Sequence, residues 1–148
     1  MGKAELQLEH SEALGQGLLD IGRAARASGV SVKMIRHYEE IGLLGKVART
    51  YANYRVYAER DVHNLRFIRR SRSLGFSIDD IRVLLSLWQD KKRSSAAVKK
   101  VAGAHMAVLE QRIAEMQSML TTLRHLTHHC HGDQRPDCPI LEDLARAA

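Results

Sequence analysis

The segment between Ser95 and Thr127 is the feature of this sequence that most limits the possible folds. It contains no proline, and its apolar residues recur every three or four positions, as on one face of an α-helix. At about 1.5 Å per residue the helix would be roughly 50 Å long, too long to be buried against the rest of a 148-residue chain. Such a stripe favours pairing with the same helix of a second chain, so we predict a homodimer. Packing entirely within its own chain is the alternative.

Length and composition place the chain among folded, mainly helical proteins. Its 148 residues suit one domain, or one compact unit completed by a second copy. Hydrophobic residues make up 45% of the chain, and only two prolines and ten glycines interrupt it. The sequence has no apolar run of about 18 residues, which a membrane span requires, and no signal-peptide pattern. We therefore expect a cytoplasmic protein that makes no membrane contact.

The excess positive charge lies in one half of the sequence. The net charge is +6, and residues 19–75 contain twelve Lys and Arg against five Asp and Glu. This concentration favours a polyanionic partner, because neutralised phosphates release condensed counterions. Nucleic acid is therefore the expected partner, with a solvated basic surface as the alternative.

Two short helices joined by a glycine turn are predicted at the start of this basic half. Asp20 can cap a helix at 21–27, Gly29 supplies the turn, and Ser31 can cap a second helix at 32–40. The arrangement is a helix-turn-helix, whose second helix enters the major groove of DNA. The residues of this second helix predicted to contact DNA are Lys33, Arg36 and Tyr38. For Tyr38, core packing is the alternative.

A short β-hairpin is predicted from Arg49 to Tyr57, with Asn53 at its tip, because Asn tolerates the left-handed backbone that a hairpin tip requires. The hairpin residues predicted to grip the DNA backbone are Arg49, Tyr54 and Arg55. Two further helices are predicted at 59–74 and 78–89. The residues expected to be buried on the second of these helices are Ile81, Leu84, Leu85 and Trp88.

A second candidate site lies near the C-terminus, where Cys130 and Cys138 occur beside several histidines. Thiolates select soft ions such as Cu(I), and two of them suffice for a linear monovalent site. Histidines could complete a tetrahedral zinc site. A disulfide between the two cysteines is the minority alternative in a cytosolic chain. For the histidines, the alternative is a solvated helix end.

Four motifs resemble those of one bacterial regulator family. They are Ile35–Leu44 (IRHYEEIGLL), Asn53–Tyr57 (NYRVY), Leu74–Ile81 (LGFSIDDI) and Cys130–Ile140 (CHGDQRPDCPI). The first three resemble the helix-turn-helix, the wing and the following helix of the MerR family of transcription activators. The fourth resembles the metal loop of the family's copper-efflux regulators. The resemblance extends over residues 19–144.

The resemblance implies a mainly α fold. A winged helix-turn-helix DNA-binding domain is expected at 19–90, a long antiparallel coiled-coil dimerisation helix at 95–128, and a metal-binding loop with a short C-terminal helix at 129–148. Residues 1–18 are expected to form a flexible extension. In similar regulators, a homodimer binds a palindromic promoter with an overlong spacer, and metal binding distorts the DNA so that RNA polymerase can use both promoter elements. The implied partners are double-stranded promoter DNA, a second copy and, through the promoter, bacterial RNA polymerase.

The resemblance also implies the metal site. Its ligands would be Cys130 and Cys138, and the residue that reaches from the start of the long helix to the partner's loop would be Ser95. Serine there resembles the sensors of Cu(I), Ag(I) and Au(I), whereas cysteine resembles the sensors of divalent ions. Lys99 or a helix N-terminus could offset the negative charge left by two thiolates on a monovalent ion. One departure from the family pattern is His131, in place of the usual proline, and either this histidine or His129 is a potential third ligand. The other departure is Asn53, in place of the usual wing glycine.

The predicted function is therefore a Cu(I)-responsive transcription regulator that activates copper-efflux and detoxification promoters. A sensor of Zn, Cd or Pb with the same fold is the nearest alternative, and a thiol redox sensor is a second one. An enzyme is disfavoured, because no nucleophile set, phosphate loop or paired carboxylates stand out.

Overall fold

Helices make up most of the chain in the computed structural model, which describes residues 9–146. These residues divide into two compact units, the first ending at Val98 and the second beginning at Lys99. The elements in chain order are α1 (His10–Gly15), α2 (Ile21–Ser28), α3 (Val32–Glu40), β1 (Ala48–Arg49), β2 (Arg55–Val56), α4 (Glu59–Ser73), α5 (Ile78–Gln89), α6 (Ser95–His129) and α7 (Pro139–Ala145). The expected fold class, a winged helix-turn-helix followed by a long helix, is confirmed.

Side-chain caps set where the helices of the first unit begin. The backbone N–H of Arg23 donates to Asp20 at 2.8 Å, and that of Met34 donates to Ser31 at 3.2 Å. Each cap satisfies an amide that has no partner within its helix. Between these helices, Gly29 has φ +76°, and a Cβ there would lie 2.9 Å from the Arg69 guanidinium. The positive φ favours glycine at this turn, and a Cβ would in addition displace the Arg69 guanidinium.

The core of the first unit lies among α2, α3, α4 and α5. Its fully buried members include Ile35, Leu65, Ile68 and Ile81, which supply the inward faces of α3, α4 and α5. The two-stranded sheet joins this core through Tyr57, whose backbone pairs with Leu19 in both directions at 2.7 and 2.8 Å. The wing is therefore tied to the segment that precedes the helix-turn-helix.

Residues 10–15 differ from the flexible extension expected for residues 1–18, because they form the short helix α1. The Glu9 backbone N–H donates to the Glu12 carboxylate at 3.3 Å, and Ala13 is fully buried. One backbone-to-carboxylate hydrogen bond and one buried small residue thus stabilise a helix too short to show apolar periodicity. Residues 1–8 lie outside the described part of the chain.

Trp88 also differs from its predicted place in the buried stripe of α5. Ile81, Leu84 and Leu85 are buried as expected, but Trp88 is 48% exposed. Its ring stacks on His63 with the centroids 5.3 Å apart. The last turn of α5 therefore extends past the core, and the indole covers the surface of α4 instead.

The second unit consists of α7, the preceding loop and all of α6 beyond its first four residues. Helix α6 is continuous over 35 residues, slightly longer than the sequence predicts. Its large apolar side chains with exposures of 36–65% are Met106, Val108, Leu109, Ile113, Met116, Met119, Leu120 and Leu123. No helix in residues 9–146 is long and apolar enough to cross a membrane.

Candidate DNA-binding surface and metal loop

Helix α3 presents one buried and one exposed face. Ile35 and Tyr38 pack into the core, whereas Lys33 and Arg36 are exposed and make no hydrogen bond or ion pair with any described residue. Both cations are therefore exposed on this face of α3, and their contact with phosphates or base edges stays a prediction. The predicted DNA contact by Tyr38 needs correction, because its side chain is only 6% exposed and belongs to the core cluster.

The wing brings two cations together. In the sheet register, Arg49 lies directly opposite Arg55, a pairing that is unfavourable for like charges. The carboxylate of Glu39, on α3, lies between them, with Arg55 Nε bonded to its Oε2 and Arg49 at 3.6 Å from its Oε1. One carboxylate thus offsets the repulsion and ties the wing to α3. Glu39 was not predicted as a site residue, although an acidic residue inside a strongly basic segment could have indicated an ion pair with nearby arginines.

Asn53 forms the wing tip as predicted. It is the one non-glycine residue with positive φ (+67°) among residues 9–146. The Arg49 guanidinium donates to its backbone oxygen at 3.2 Å and to its side-chain oxygen at 3.3 Å. Beside it, Tyr54 is 60% exposed, and its ring lies 5.2 Å from that of His10 in α1. The wing tip therefore presents the ring of Tyr54 and the guanidinium of Arg49, which is fixed by its hydrogen bonds to Asn53.

A second group of cations lines a cleft on α4. Its volume is about 260 Å³, and its lining residues are Arg66, Arg69, Arg70 and Ser73. Arg66 donates twice to the Ala27 carbonyl, at 2.8 and 3.0 Å, and the Arg69 guanidinium lies against Gly29. These contacts place the cleft beside the turn of the helix-turn-helix. From the sequence, these arginines were expected on an outward face of the helix but were not predicted to contact DNA.

Tyr57 joins the wing to the core and has a phenol with a raised pKa. Its side chain is fully buried, and its hydroxyl has no hydrogen-bond partner in the described part of the molecule. Burial, together with the nearby Glu39 carboxylate, raises the pKa of Tyr57 to about 12. The phenol therefore stays neutral at physiological pH.

The predicted metal loop follows α6 directly. Cys130 and Cys138 are free thiols and both are partly buried. Between them, Gly132 turns the chain with φ +61°, and Asp133 accepts the Arg135 backbone N–H at 2.9 Å and its guanidinium at 2.7 Å. Cys138 immediately precedes α7. A short, internally bonded loop thus has one thiol at each end.

The other residues expected around the metal are exposed. His131 follows Cys130, whereas Ser95 begins α6 and Lys99 lies one turn later. In the described range, no three His, Cys, Asp or Glu side chains come together as a metal-binding group. The thiol pair is therefore the set of soft ligands that the loop offers.

Comparison with known proteins places this architecture in a family. Residues 19–88 match the model of the MerR HTH family regulatory protein, and residues 62–126 match the model described as MerR, DNA binding. The HTH-type transcriptional regulator HmrR of Sinorhizobium medicae is 56% identical over 86% of this chain and 87% of its own length. The chain belongs to the MerR family. It is a DNA-binding transcription regulator and not an enzyme, as the sequence predicts.

Two further MerR relatives cover the chain to a similar extent. Heavy metal-dependent transcription regulator 2 of Rhizobium meliloti is 55% identical over 88% of both chains. Among solved structures, the regulator PbrR691 of Ralstonia metallidurans in complex with lead(II) superposes with a TM-score of 0.76, at 31% identity over 86% of this chain and 99% of that one. Residues 1–18 and the cysteine loop lie outside both MerR family models.

Proposed function

We propose that this MerR protein is a homodimeric sensor of Cu(I), with Ag(I) and Au(I) as equivalent ligands, that activates efflux and detoxification promoters. The observation that carries the metal assignment is the loop from Cys130 to Cys138, with a free, partly buried thiol at each end. The name of the Rhizobium meliloti relative, which describes heavy-metal dependence, supports a metal signal.

Ligand chemistry favours a monovalent ion over a divalent one. The chain has two cysteines, so one protomer can supply two thiolates and no third. Two soft thiolates complete a linear site for Cu(I), whereas a tetrahedral divalent site needs further ligands. Bound there, the ion supplies the free-energy difference between two states of the regulator. The lead(II)-bound relative makes a divalent ion the second candidate, with His131 as an additional ligand.

The exposed stripe on α6 supports the homodimer. Its apolar side chains have spacings of four and three from Leu109 to Leu123, which is the repeat of a coiled-coil seam. In an antiparallel pair, the start of one α6 lies near the end of the other. Ser95 of each chain then lies near the partner's loop, where Lys99 adds positive charge.

The basic surface of the first unit supports promoter binding. Lys33 and Arg36 are free to enter the major groove, the wing arginines flank them, and the α4 cleft adds cations for the backbone. Two such surfaces in a homodimer suit a palindromic promoter. A metal-dependent change in their placement would bend and untwist the DNA between them, so that RNA polymerase responds through the promoter.

A Cu(I) titration against a competing chelator tests the ligand assignment. We expect one ion per chain in the wild type and at least a hundredfold weaker binding in Cys130→Ser and in Cys138→Ser, because each variant leaves a single sulfur. His131→Asn serves as the matched control in the same loop and should bind as the wild type does. Equal Cu(I) binding by the wild type and Cys130→Ser would contradict the assignment.

X-ray absorption on the loaded protein separates the remaining alternatives. Two short metal–sulfur distances without nitrogen support the monovalent site. A mixed nitrogen and sulfur shell, with loss of affinity in His131→Asn, supports the divalent sensor instead. If mild oxidation of metal-free protein changes its DNA affinity, and Cys138→Ser abolishes that response, the loop is a thiol switch.

A further inference from the structure

The last turn of α6 carries a pair of histidines outside the thiol loop. His125 and His129 are four residues apart, both are exposed, and their ring centroids are separated by 4.2 Å. Side chains at this spacing lie one above the other on the same helix face. The two imidazoles are therefore close enough for both to bind the same ion at one face of α6.

The hydrogen bond of His129 fixes which ring nitrogen is free. Its Nδ1 lies 2.8 Å from the backbone oxygen of His125. A carbonyl oxygen only accepts, so Nδ1 is the donor, and in the neutral ring, which is the form that binds metal, Nε2 then keeps the lone pair. An N–H to carbonyl bond of this kind orients imidazole ligands in metal sites. The helix itself therefore prepares His129 as a ligand through Nε2.

The pair lies on the helix face opposite the apolar stripe. At about 100° per residue, the stripe residues Ile113, Met116 and Leu120 lie within roughly 40° of Leu109. On the same scale, His125 and His129 lie at roughly 160° and 200°. Covering the stripe with a second chain therefore leaves the two rings accessible to solvent.

We propose that His125 and His129 bind a borderline divalent ion, such as Zn²⁺, Ni²⁺ or Cu²⁺, at a site separate from the two thiols. Imidazole nitrogen suits these ions, and water completes the coordination because the described residues supply no third ligand there. Binding would bridge the final turn of α6, which ends one residue before Cys130. The site thus recognises an ion of a different class from the soft ion assigned to the loop.

The test uses the full chain with Cys130→Ser and Cys138→Ser as the parent, so that no thiol can contribute. Calorimetric titration with Zn²⁺ should give one ion per chain. Adding His125→Ala and His129→Ala should weaken binding at least tenfold, and either substitution alone should lose most of that affinity, because a chelate requires both rings. Alanine favours helix, so the variants should keep the circular dichroism of the parent.

A matched control removes two histidines elsewhere, His37 and His63, and should leave Zn²⁺ binding unchanged. With Cu²⁺, the paramagnetic resonance spectrum of the parent should show imidazole nitrogen coupling that is lost in the His125→Ala, His129→Ala variant. The proposal fails if that variant binds Zn²⁺ as tightly as the parent, or if the control loses equal affinity. Failure of Cu(I) sensing would leave this result intact, because the parent contains no thiol.

Discussion

Glu39 illustrates how one residue can control several others. Its carboxylate lies between two arginines that the sheet register places opposite each other, so it offsets their repulsion while leaving each partly exposed. Such a partly exposed ion pair contributes little to stability by itself. Its effect is on placement, because it fixes two wing guanidinium groups relative to α3.

Tyr57 gives a prediction at the same scale. The unfolded chain should release its phenolic proton near pH 10 and the folded chain near pH 12. Stability from this group is therefore complete below pH 10 and lost as the pH rises toward 12, at about 1.4 kcal/mol per pH unit. In Tyr57→Phe this loss should disappear, and removal of an unpaired buried hydroxyl should stabilise the protein by about 1 kcal/mol at neutral pH.

Urea unfolding of wild type and Tyr57→Phe between pH 8 and pH 11.5 provides the measurement for this tyrosine. Tyr51→Phe is the matched control, because Tyr51 is 63% exposed and should keep the wild-type pH dependence. Parallel stability curves for wild type and Tyr57→Phe would contradict the assigned pKa.

The roles of residues that act within their own turn could be predicted from the sequence, whereas the roles of residues that depend on long-range contacts could not. Asp20, Ser31 and Asn53 act within their own turns, so their capping and tip roles follow from sequence alone. Tyr38 and Glu39 could not be assigned in the same way. Whether Tyr38 faces DNA or core, and which cations Glu39 contacts, depends on how the wing and α4 pack against α3.

At the scale of elements, strongly patterned helices were predicted most closely. Helices α3 and α5 have the predicted bounds, because a serine cap fixes the start of each and a loss of pattern marks each end. Helix α1 was missed, since six residues with one buried side chain show no period. The helical period places Trp88 on the same face as Ile81, Leu84 and Leu85. It does not show that the core ends before the last turn of α5, so the exposure of Trp88 was not predicted.

The wing gives a prediction for an element. Asn53→Ala should destabilise the protein by about 1 kcal/mol, because an alanine at positive φ is strained. Asn53→Gly should stay within about 0.5 kcal/mol of the wild type, since glycine adopts this backbone without strain. Both variants remove the side-chain oxygen that Arg49 contacts, so their difference in urea midpoint isolates the backbone effect. Equal destabilisation by both would mean that the side-chain contact dominates.

At the scale of the whole molecule, the apolar stripe of α6 makes assembly the property to test. Ile113→Glu should convert the protein to a monomer, because a charge would be buried at the proposed seam. Light scattering on a sizing column gives the mass. DNA affinity should fall more than tenfold as well, since two linked DNA-binding units bind more tightly than one. Ser118→Glu, on the opposite and exposed face of the same helix, should remain dimeric.

A wild-type protein that is monomeric at micromolar concentration, or a dimeric Ile113→Glu variant, would contradict the seam. The sequence predicted this helix well, because its period persists over many turns. The antiparallel direction in which two α6 helices would pair could not be predicted from the helical period, because it depends on contacts between two chains. It was inferred only from the family resemblance.

The bond between Glu39 and the wing has a consequence for altering operator preference. Substitutions on the exposed face of α3 are expected to change which bases are read, yet Glu39 on the same helix also binds Arg55 of the hairpin that we propose contacts the flanking DNA backbone. A library that randomises α3 should therefore hold position 39 fixed. Otherwise, variants selected for new base contacts would also lose the Glu39–Arg55 bond, and with it the position of the wing relative to α3.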